Sequence, residues 1–295
     1  MTTFAARGEP LPYRLMGILN VTPDSFSDGG LFLDAAAAVE HGRALVEEGA
    51  HILDVGGEST RPGAEPVSGE QELARVTPVL EGLAQAGLLE RVQVSIDTCK
   101  ASVAAAALDV GASLVNDVSA FRTDPQMAAL VADSGAECCL MHMLGEPRTM
   151  QREPHYDDVV DDVKAFLGER MEFAVREGIR EERILLDPGI GFGKTIEHNL
   201  TLLARLNEIA ALGPPLVIGT SRKSFLGRII AQVSGVQEPA EAALRLPGTI
   251  ATNVLALERG ASVFRVHDVA PVRDALAVAA ATLGVCPTRG TRPTT

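Results

Sequence analysis

Short apolar runs recur along the chain and alternate with longer stretches in which the apolar residues have helical spacing. A buried parallel strand is apolar on both faces, whereas an amphipathic helix repeats its apolar residues every three or four positions. We therefore interpret the short runs as strands and the longer stretches as helices. The eight predicted strands are LMGILN (15–20), HILDVG (51–56), RVQVSID (91–97), SLVND (113–117), AECCLMHM (136–143), RILLDPG (183–189), PLVIGTS (215–221) and SVFRVHD (262–268).

The longer stretches carry the features of helices and of helix ends. Three clear examples are DAAAAVEHGRALVEEG (34–49), EQELARVTPVLEGLAQAG (70–87) and DDVVDDVKAFLGERMEFAVREG (157–178). Glycine closes several such stretches, and it suits a helix C-terminus because it adopts the left-handed conformation without a steric penalty. The closing glycines are Gly49, Gly111, Gly135, Gly178 and Gly260.

The repeated strand and helix units predict an α/β fold. Eight such units with nearly all-apolar strands are typical of a closed (β/α)8 TIM barrel, and we favour it over an open doubly wound sheet. The length of 295 residues suits one large domain, and we see no linker that would divide it. We assign residues 1–285 to the barrel and the polar residues 286–295 to a C-terminal tail.

Composition and charge narrow the class of protein. The chain has 46% hydrophobic and 22% charged residues, a net charge of −13, 4% aromatic residues and no tryptophan. This balance argues against a nucleic-acid partner. There is no apolar run long enough for a membrane span and no apolar core of a signal peptide near the N-terminus, so we expect a cytoplasmic protein with no membrane partner. Adjacent Cys138 and Cys139 lie in an apolar run and are interpreted as buried free thiols.

Polar side chains follow every predicted strand. In a TIM barrel the carboxyl ends of the strands form the active-site face, so these side chains should converge on one rim. They are, strand by strand, Asn20; Asp54, Glu58, Thr60 and Arg61; Asp97; Asn116 and Asp117; His142; Asp187; Ser221, Arg222, Lys223 and Ser224; and Arg265 and His267.

The residue types at this rim indicate a ligand with two parts. Asp97, Asn116 and Asp187 offer carboxylate and amide groups that suit a flat heterocycle with an amino group beside a ring N–H. The groups suited to a phosphate-type anion are Arg61, Lys223, Arg265 and His267. Asn20 and Asp28 offer hard oxygen ligands for Mg²⁺, which commonly bridges a diphosphate. The pattern therefore predicts a polar heterocycle that carries a diphosphate.

Eight stretches of the chain resemble the dihydropteroate synthase family, the folate-pathway enzymes that sulfonamides inhibit. They are MGILNVTPDSFSDGG (16–30), ILDVGGESTRPGA (52–64), VSIDTCK (94–100), LVNDVSA (114–120), MHMLGEPRTMQ (141–151), LLDPGIGFGKT (185–195), IGTSRKSFLG (218–227) and VFRVHDV (263–269). They span nearly the whole chain in the order of the family.

This resemblance implies a fold, a reaction and a set of site residues. The family is a (β/α)8 barrel, usually a homodimer, which condenses 6-hydroxymethyl-7,8-dihydropterin diphosphate with p-aminobenzoate to give 7,8-dihydropteroate and diphosphate. By motif position, the pterin would be held by Asp97, Asn116, Asp187 and Lys223, with Met141 and Phe192 near its ring. The diphosphate would be held by Asn20, Arg265 and His267, with Mg²⁺ at Asn20 and Asp28. The p-aminobenzoate pocket would be shaped by Phe26, Thr60, Arg61, Pro62 and Ser224.

The resemblance also implies a dissociative, SN1-like route. Mg²⁺ and cationic side chains would assist departure of the diphosphate, and Asp97 and Asp187 would face a ring that becomes cationic. The catalytic set is Asp97, Asp187, Lys223, Arg265 and His267, and no general base is assigned. Gly29 and Gly30 would allow the first loop to close over the diphosphate.

Several alternatives remain open at this point. A pterin-binding methyltransferase module acting on methyltetrahydrofolate would share the barrel, and a non-catalytic pterin-binding paralogue would share the pocket. Asp54 and Glu58 could be salt-bridge partners at the rim, and we leave Asp54 outside the catalytic set. His142 fits a buried, hydrogen-bonded histidine. Lys194 lies in GIGFGKT, which lacks the spacing of a nucleotide P-loop, so its glycines are assigned to a tight turn.

Overall fold

A computed structural model describes residues 11–22, 30–59, 63–145 and 148–285, without the side chains of 30–34. The strands are β1 (Arg14–Asn20), β2 (Ile52–Gly56), β3 (Gln93–Asp97), β4 (Leu114–Asp117), β5 (Glu137–Met141), β6 (Ile184–Asp187), β7 (Leu216–Ile218) and β8 (Ala261–Val266). The helices are α1 (Gly30–Glu48), α2 (Gly69–Gln85), α3 (Ala101–Val110), α4 (Met127–Ser134), α5 (Val159–Arg176), α6 (Ile196–Ala204), α7 (Leu206–Ala210), α8 (Ser224–Ser234), α9 (Leu246–Glu258) and α10 (Val269–Leu283).

The strands form one closed barrel in the order β1 to β8, with β8 paired to β1. Every neighbouring pair is parallel, and its register aligns the carboxyl ends: Gly56 is opposite Asp97, and Asp97 is opposite Asn116. The predicted (β/α)8 barrel and all eight predicted strands are confirmed. The predicted tail, residues 286–295, lies outside the described residues, so its boundary stays a prediction.

Local sequence signals account for the helix ends. Ser68 accepts the Gln71 N–H, and the Gln71 side chain accepts the Ser68 N–H, which together form a capping box at the start of α2. Asp158 caps α5 by accepting two backbone N–H groups. The five glycines predicted to close helices all have positive φ angles. These contacts satisfy backbone groups that a helix end would otherwise leave without partners.

The core has two layers. The larger one lies between the strands and the surrounding helices and includes Leu19, Leu53 and Ile96. The second fills the barrel interior, and we call it the inner plug: Met16, Ile52, Leu114, Cys139, Leu185, Val217 and Val263. The plug closes the barrel, so polar side chains above it form a pocket with an apolar floor.

Two further predictions are tested by the described residues. The Cys138 and Cys139 thiols are free and buried, as predicted. Within the described ranges, no helix combines the length and apolar character required to cross a bilayer.

Candidate active site at the barrel mouth

Strand alternation places the site residues directly above the inner plug. Successive residues of a strand point to opposite faces, so the residue two positions after a plug residue also points into the barrel. Counting two from Ile52, Leu114, Leu185 and Val263 gives the first polar layer. Its members are Asp54, Asn116, Asp187 and Arg265.

Arg265 joins two carboxylates across the mouth. Its Nε donates to Asp54 Oδ2 at 2.6 Å, and its Nη2 donates to Asp97 Oδ2 at 2.7 Å. The Asp54 side chain is fully buried and that of Asp97 is 10% exposed. The predicted acceptor Asp97 is thus in place, and in this structure a protein cation occupies one of its oxygens.

Asn116 is the second predicted acceptor, and Asp54 orients it. The Asn116 Nδ2 donates to Asp54 Oδ2 at 3.1 Å, and Ser95 Oγ donates to Asp54 Oδ1 at 2.6 Å. One amide hydrogen of Asn116 is therefore engaged by the protein. Its carbonyl oxygen is left to accept from a ligand.

Asp187 ends β6 and shapes the glycine-containing loop that follows. Its Oδ1 accepts the Gly189 N–H at 2.7 Å. Gly189 has a φ of +66°, and a Cβ at this position would lie 1.8 Å from the His142 carbonyl oxygen. The turn therefore requires glycine, which agrees with the predicted tight turn after Pro188. The loop brings Phe192 to the mouth.

Lys223 lies against this loop from the strand 7 side. Its Nζ donates to the Ile190 carbonyl oxygen and lies 4.4 Å from the centre of the Phe192 ring. Met141 packs in an adjoining apolar cluster with Val118 and Met143. The predicted pterin residues Met141, Phe192 and Lys223 are therefore neighbours of Asp187 at the same side of the mouth.

Burial controls the ionisation of these groups. Burial raises the pKa of Asp97 to about 7, while Arg265 opposes the rise and Asp54 adds to it. The pKa of Asp187 is also raised by burial, against the attraction of Lys223. Burial lowers the pKa of Lys223 to about 8, against the attraction of Asp187. The site therefore holds acids and a base whose charged forms become less costly when a complementary ligand arrives.

The loops after β7 and β8 are joined by side-chain contacts. Ser221 Oγ lies 2.9 Å from His267 Nδ1 and accepts the His267 N–H at 3.1 Å. The Arg222 guanidinium pairs with Asp268, with an Nε–Oδ2 distance of 2.9 Å. These contacts place His267 beside the loop that carries Lys223. Ser224 is exposed at the first residue of α8.

The predicted metal site is only partly described. Asn20 ends β1 and is half-buried, while Asp28 lies outside the described residues. Among the side chains that the structure describes, no group of three His, Cys, Asp or Glu could hold a metal ion. Magnesium is commonly held by one or two protein oxygens together with substrate phosphates, so the Asn20 oxygen fits an ion that arrives with a diphosphate.

Part of the predicted second pocket cannot be located. Phe26, Thr60, Arg61 and Pro62 lie outside the described residues, as does most of the loop predicted to close over the site. The roles predicted for these residues stay predictions.

Three polar residues have contacts that the sequence left open. Asp54 forms the ion pair with Arg265 and lies at the centre of the mouth, where the two-residue count from Ile52 would have placed it. Glu58 pairs with Lys100 at 2.6 Å, as a rim salt bridge. His142 is buried, and its Nδ1 lies 2.9 Å from the Nζ of buried Lys194. The sequence pattern carried no signal for this last pair.

Comparisons with known proteins agree with this geometry. The model of a family described as pterin binding enzyme matches residues 16–267. The dihydropteroate synthase of Escherichia coli strain K12 is 46% identical over 269 residues, which cover 91% of this chain and 91% of that protein.

Two solved structures are similar to this chain over nearly its full length. The Xanthomonas albilineans dihydropteroate synthase with 4-aminobenzoic acid has a TM-score of 0.82 at 46% identity and covers 92% of this chain and 93% of its own. The Yersinia pestis dihydropteroate synthase with a sulfonamide drug complex has a TM-score of 0.85 at 41% identity and covers 96% and 100%.

Proposed function

The chain belongs to the pterin-binding enzyme family and to its dihydropteroate synthase class of transferases, and from this premise we propose how its residues perform the condensation. The substrates are 6-hydroxymethyl-7,8-dihydropterin diphosphate and p-aminobenzoate. The observation that carries the proposal is the convergence of Asp97, Asn116, Asp187, Lys223 and Arg265 above one apolar plug.

Asp97, Asn116 and Asp187 bind the pterin. An aminopyrimidinone ring presents several N–H donors along one edge, and the two carboxylates and the Asn116 carbonyl oxygen are acceptors. Lys223 supplies a donor for the ring carbonyl or a ring nitrogen. Met141 and Phe192 provide the apolar contacts for the ring faces.

Arg265, His267 and Asn20 bind the diphosphate. Arg265 presents a guanidinium at the mouth, and His267 is held beside the strand 7 loop by Ser221. Asn20, with Asp28, would hold Mg²⁺, which when bound neutralises charge on the departing diphosphate. These groups stabilise the anion more as its charge develops, which is the condition for catalysis rather than binding alone.

Ser224 lies where the p-aminobenzoate carboxylate would be bound. It opens α8, an eleven-residue helix, and a helix N-terminus favours an anion because its backbone N–H groups are free to donate. We propose that Phe26, Thr60, Arg61 and Pro62 complete this pocket.

The reaction proceeds by a dissociative route. The bond between the pterin methylene carbon and the diphosphate oxygen breaks, and the electron pair leaves with the diphosphate. The buried carboxylates of Asp97 and Asp187 stabilise the positive charge that spreads over the pterin ring. The amine nitrogen of p-aminobenzoate then forms the new C–N bond and releases a proton to solvent.

A turnover assay tests the proposal. The purified protein would be mixed with dihydropterin diphosphate and p-aminobenzoate, with and without Mg²⁺, and dihydropteroate and diphosphate would be measured. We expect turnover that requires Mg²⁺ and falls by about 10²–10³-fold in Lys223→Ala. Pterin binding without turnover would instead indicate the non-catalytic paralogue. Methyl transfer from methyltetrahydrofolate to a corrinoid protein would indicate the methyltransferase module.

We further propose a homodimer in the cytoplasm. The free thiols of Cys99, Cys138 and Cys139 suit a reducing compartment. Leu255 on α9 and Val278 on α10 are exposed on two helices that pack together, and a second copy could cover them. Light scattering after size-exclusion chromatography measures the mass directly, and a monomer at micromolar concentration would contradict the dimer.

A further inference from the structure

Asp54 has no place in the reaction described above, yet its carboxylate lies at the centre of the mouth. It is fully buried, one position above the inner plug residue Ile52 on the same face of β2. Buried carboxylates are costly unless they are fully paired, so a carboxylate at this depth needs a reason.

The contacts of Asp54 connect four strands. It accepts from Ser95 on β3 at 2.6 Å, from Asn116 on β4 at 3.1 Å and from Arg265 on β8 at 2.6 Å. Two of these three donors belong to the groups proposed to bind substrate. Asp54 itself is covered by them and has no exposed surface with which to contact a ligand.

Arg265 is shared between Asp54 and Asp97 through two different nitrogens. Its Nε faces Asp54, and its Nη2 faces Asp97. The pterin proposed to bind Asp97 must replace the second contact but not the first. After that exchange Arg265 is still anchored by Asp54, and its terminal nitrogens are free to meet the diphosphate.

We propose that Asp54 is a positioning residue of this site: its carboxylate fixes the Asn116 amide and anchors Arg265, so that Arg265 releases Asp97 to the pterin and turns to the diphosphate. The inference rests on the proposed function. It adds a residue that touches neither substrate but determines how two substrate-binding side chains are presented.

The charges around Asp97 support this assignment. Arg265 from β8 favours its ionised form, whereas Asp54 from β2, Glu72 from α2 and Asp117 from β4 oppose it. Without the charge of Asp54, Arg265 would pair with Asp97 alone. Asp97 would then ionise more readily but would be less available to the pterin.

Asp54→Asn tests the proposal because it removes the charge and keeps the shape. Binding of 6-hydroxymethyl-7,8-dihydropterin, which lacks the diphosphate, would be measured by titration calorimetry. We expect about tenfold weaker binding, a similar rise in KM for the pterin substrate and little change in KM for p-aminobenzoate. The acid limb of the pH profile should move to lower pH.

Asp117→Asn is the matched control. Asp117 is also a fully buried carboxylate at a strand end, but it accepts only from Ser119 and Phe121 in its own loop. We expect it to lower the melting temperature while the pterin affinity stays within about twofold of wild type. Ser95→Ala removes one donor to Asp54 without reaching the ligand, and it should weaken pterin binding by about threefold.

The outcomes separate this inference from the function on which it rests. A wild-type protein without turnover would contradict the proposed function. A wild-type protein that turns over, with Asp54→Asn matching it in pterin affinity and pH profile, would overturn the role of Asp54. If Asp54→Asn does not fold, Ser95→Ala decides, and unchanged pterin affinity in that variant would also overturn it.

Discussion

The two ends of the barrel each hold a buried polar cluster, but the clusters differ in what they leave unpaired. At the amino end, Arg14 donates to Gln93 at 3.1 Å and to Glu137 at 3.2 Å, and Gln93 donates to Glu137 at 3.1 Å. At the carboxyl end, Asp97, Asn116 and Asp187 retain acceptor atoms that point into the mouth.

The difference shows how one barrel separates stability from function. The amino-end cluster is closed, because each side chain pairs with the other two and one cation meets one carboxylate. The carboxyl-end cluster is open, because its carboxylates and cations are buried with hydrogen-bonding capacity left over. A closed network stabilises the fold, whereas an open one stores capacity for a ligand at a cost in stability. The predictions below test this contrast.

The largest effect is expected at Asp187. Asp187→Asn should lower kcat/KM by about 10²–10³-fold, because a neutral amide cannot stabilise a cationic pterin. Burial raises the pKa of Asp187, so its ionised form disfavours the folded state at neutral pH, and the variant should melt at the same or a higher temperature. Steady-state kinetics and calorimetry measure both, and a large fall in melting temperature would contradict the contrast.

The pH profile of kcat/KM should be bell-shaped and narrow. The pKa of Asp97 is about 7 and that of Lys223 about 8, so both are charged only between those values. Activity should fall about tenfold per pH unit below the first value, as Asp97 gains a proton, and above the second, as Lys223 loses one. Asp97→Asn should remove the acid limb, and a profile that is flat across both values would count against the assignment.

Breaking the amino-end cluster should affect stability alone. Glu137→Ala leaves Arg14 and Gln93 without their shared acceptor and should lower the free energy of unfolding by about 1–3 kcal/mol. The kcat should remain within about twofold of wild type, since the cluster lies on the far side of the inner plug. Denaturant unfolding and turnover are the measurements. A large loss of turnover in the folded variant would show that the two ends are coupled.

The smallest effect is expected at His51, near the same end. Its Nδ1 accepts the Leu15 N–H at 2.9 Å, and its pKa is lowered by burial and by Arg14. The neutral form is therefore favoured in the folded state, and stability should decline as the pH falls below the unfolded value of about 6.5. His51→Asn keeps an acceptor and should flatten this dependence by a few degrees of melting temperature. An unchanged pH dependence would assign it to another group.

The alternation rule explains which site residues were accessible to prediction. Asn20, Asp97, Asn116 and Asp187 each close a strand, so their place on the rim follows from strand recognition alone. Asp54 lies inside its strand, and its importance depends on which side chains reach it from other strands. The contact between His142 and Lys194 joins two loops, and no periodic pattern reports such contacts.

By itself the sequence determined the number of strands, their parallel order around a closed barrel and the residue types on its rim. These follow from local rules, since buried parallel strands must be apolar and a glycine must close many helices. The family motifs added the reaction.

Tertiary structure alone decided which charges meet and how they ionise. Arg265 reaches Asp54 and Asp97, 211 and 168 residues away in sequence, because barrel closure sets β8 beside β1. The pKa of Asp97 depends on the water excluded by every strand around it. Distance and desolvation are properties of the assembled barrel, so the open network at its mouth exists only after all eight strands have closed.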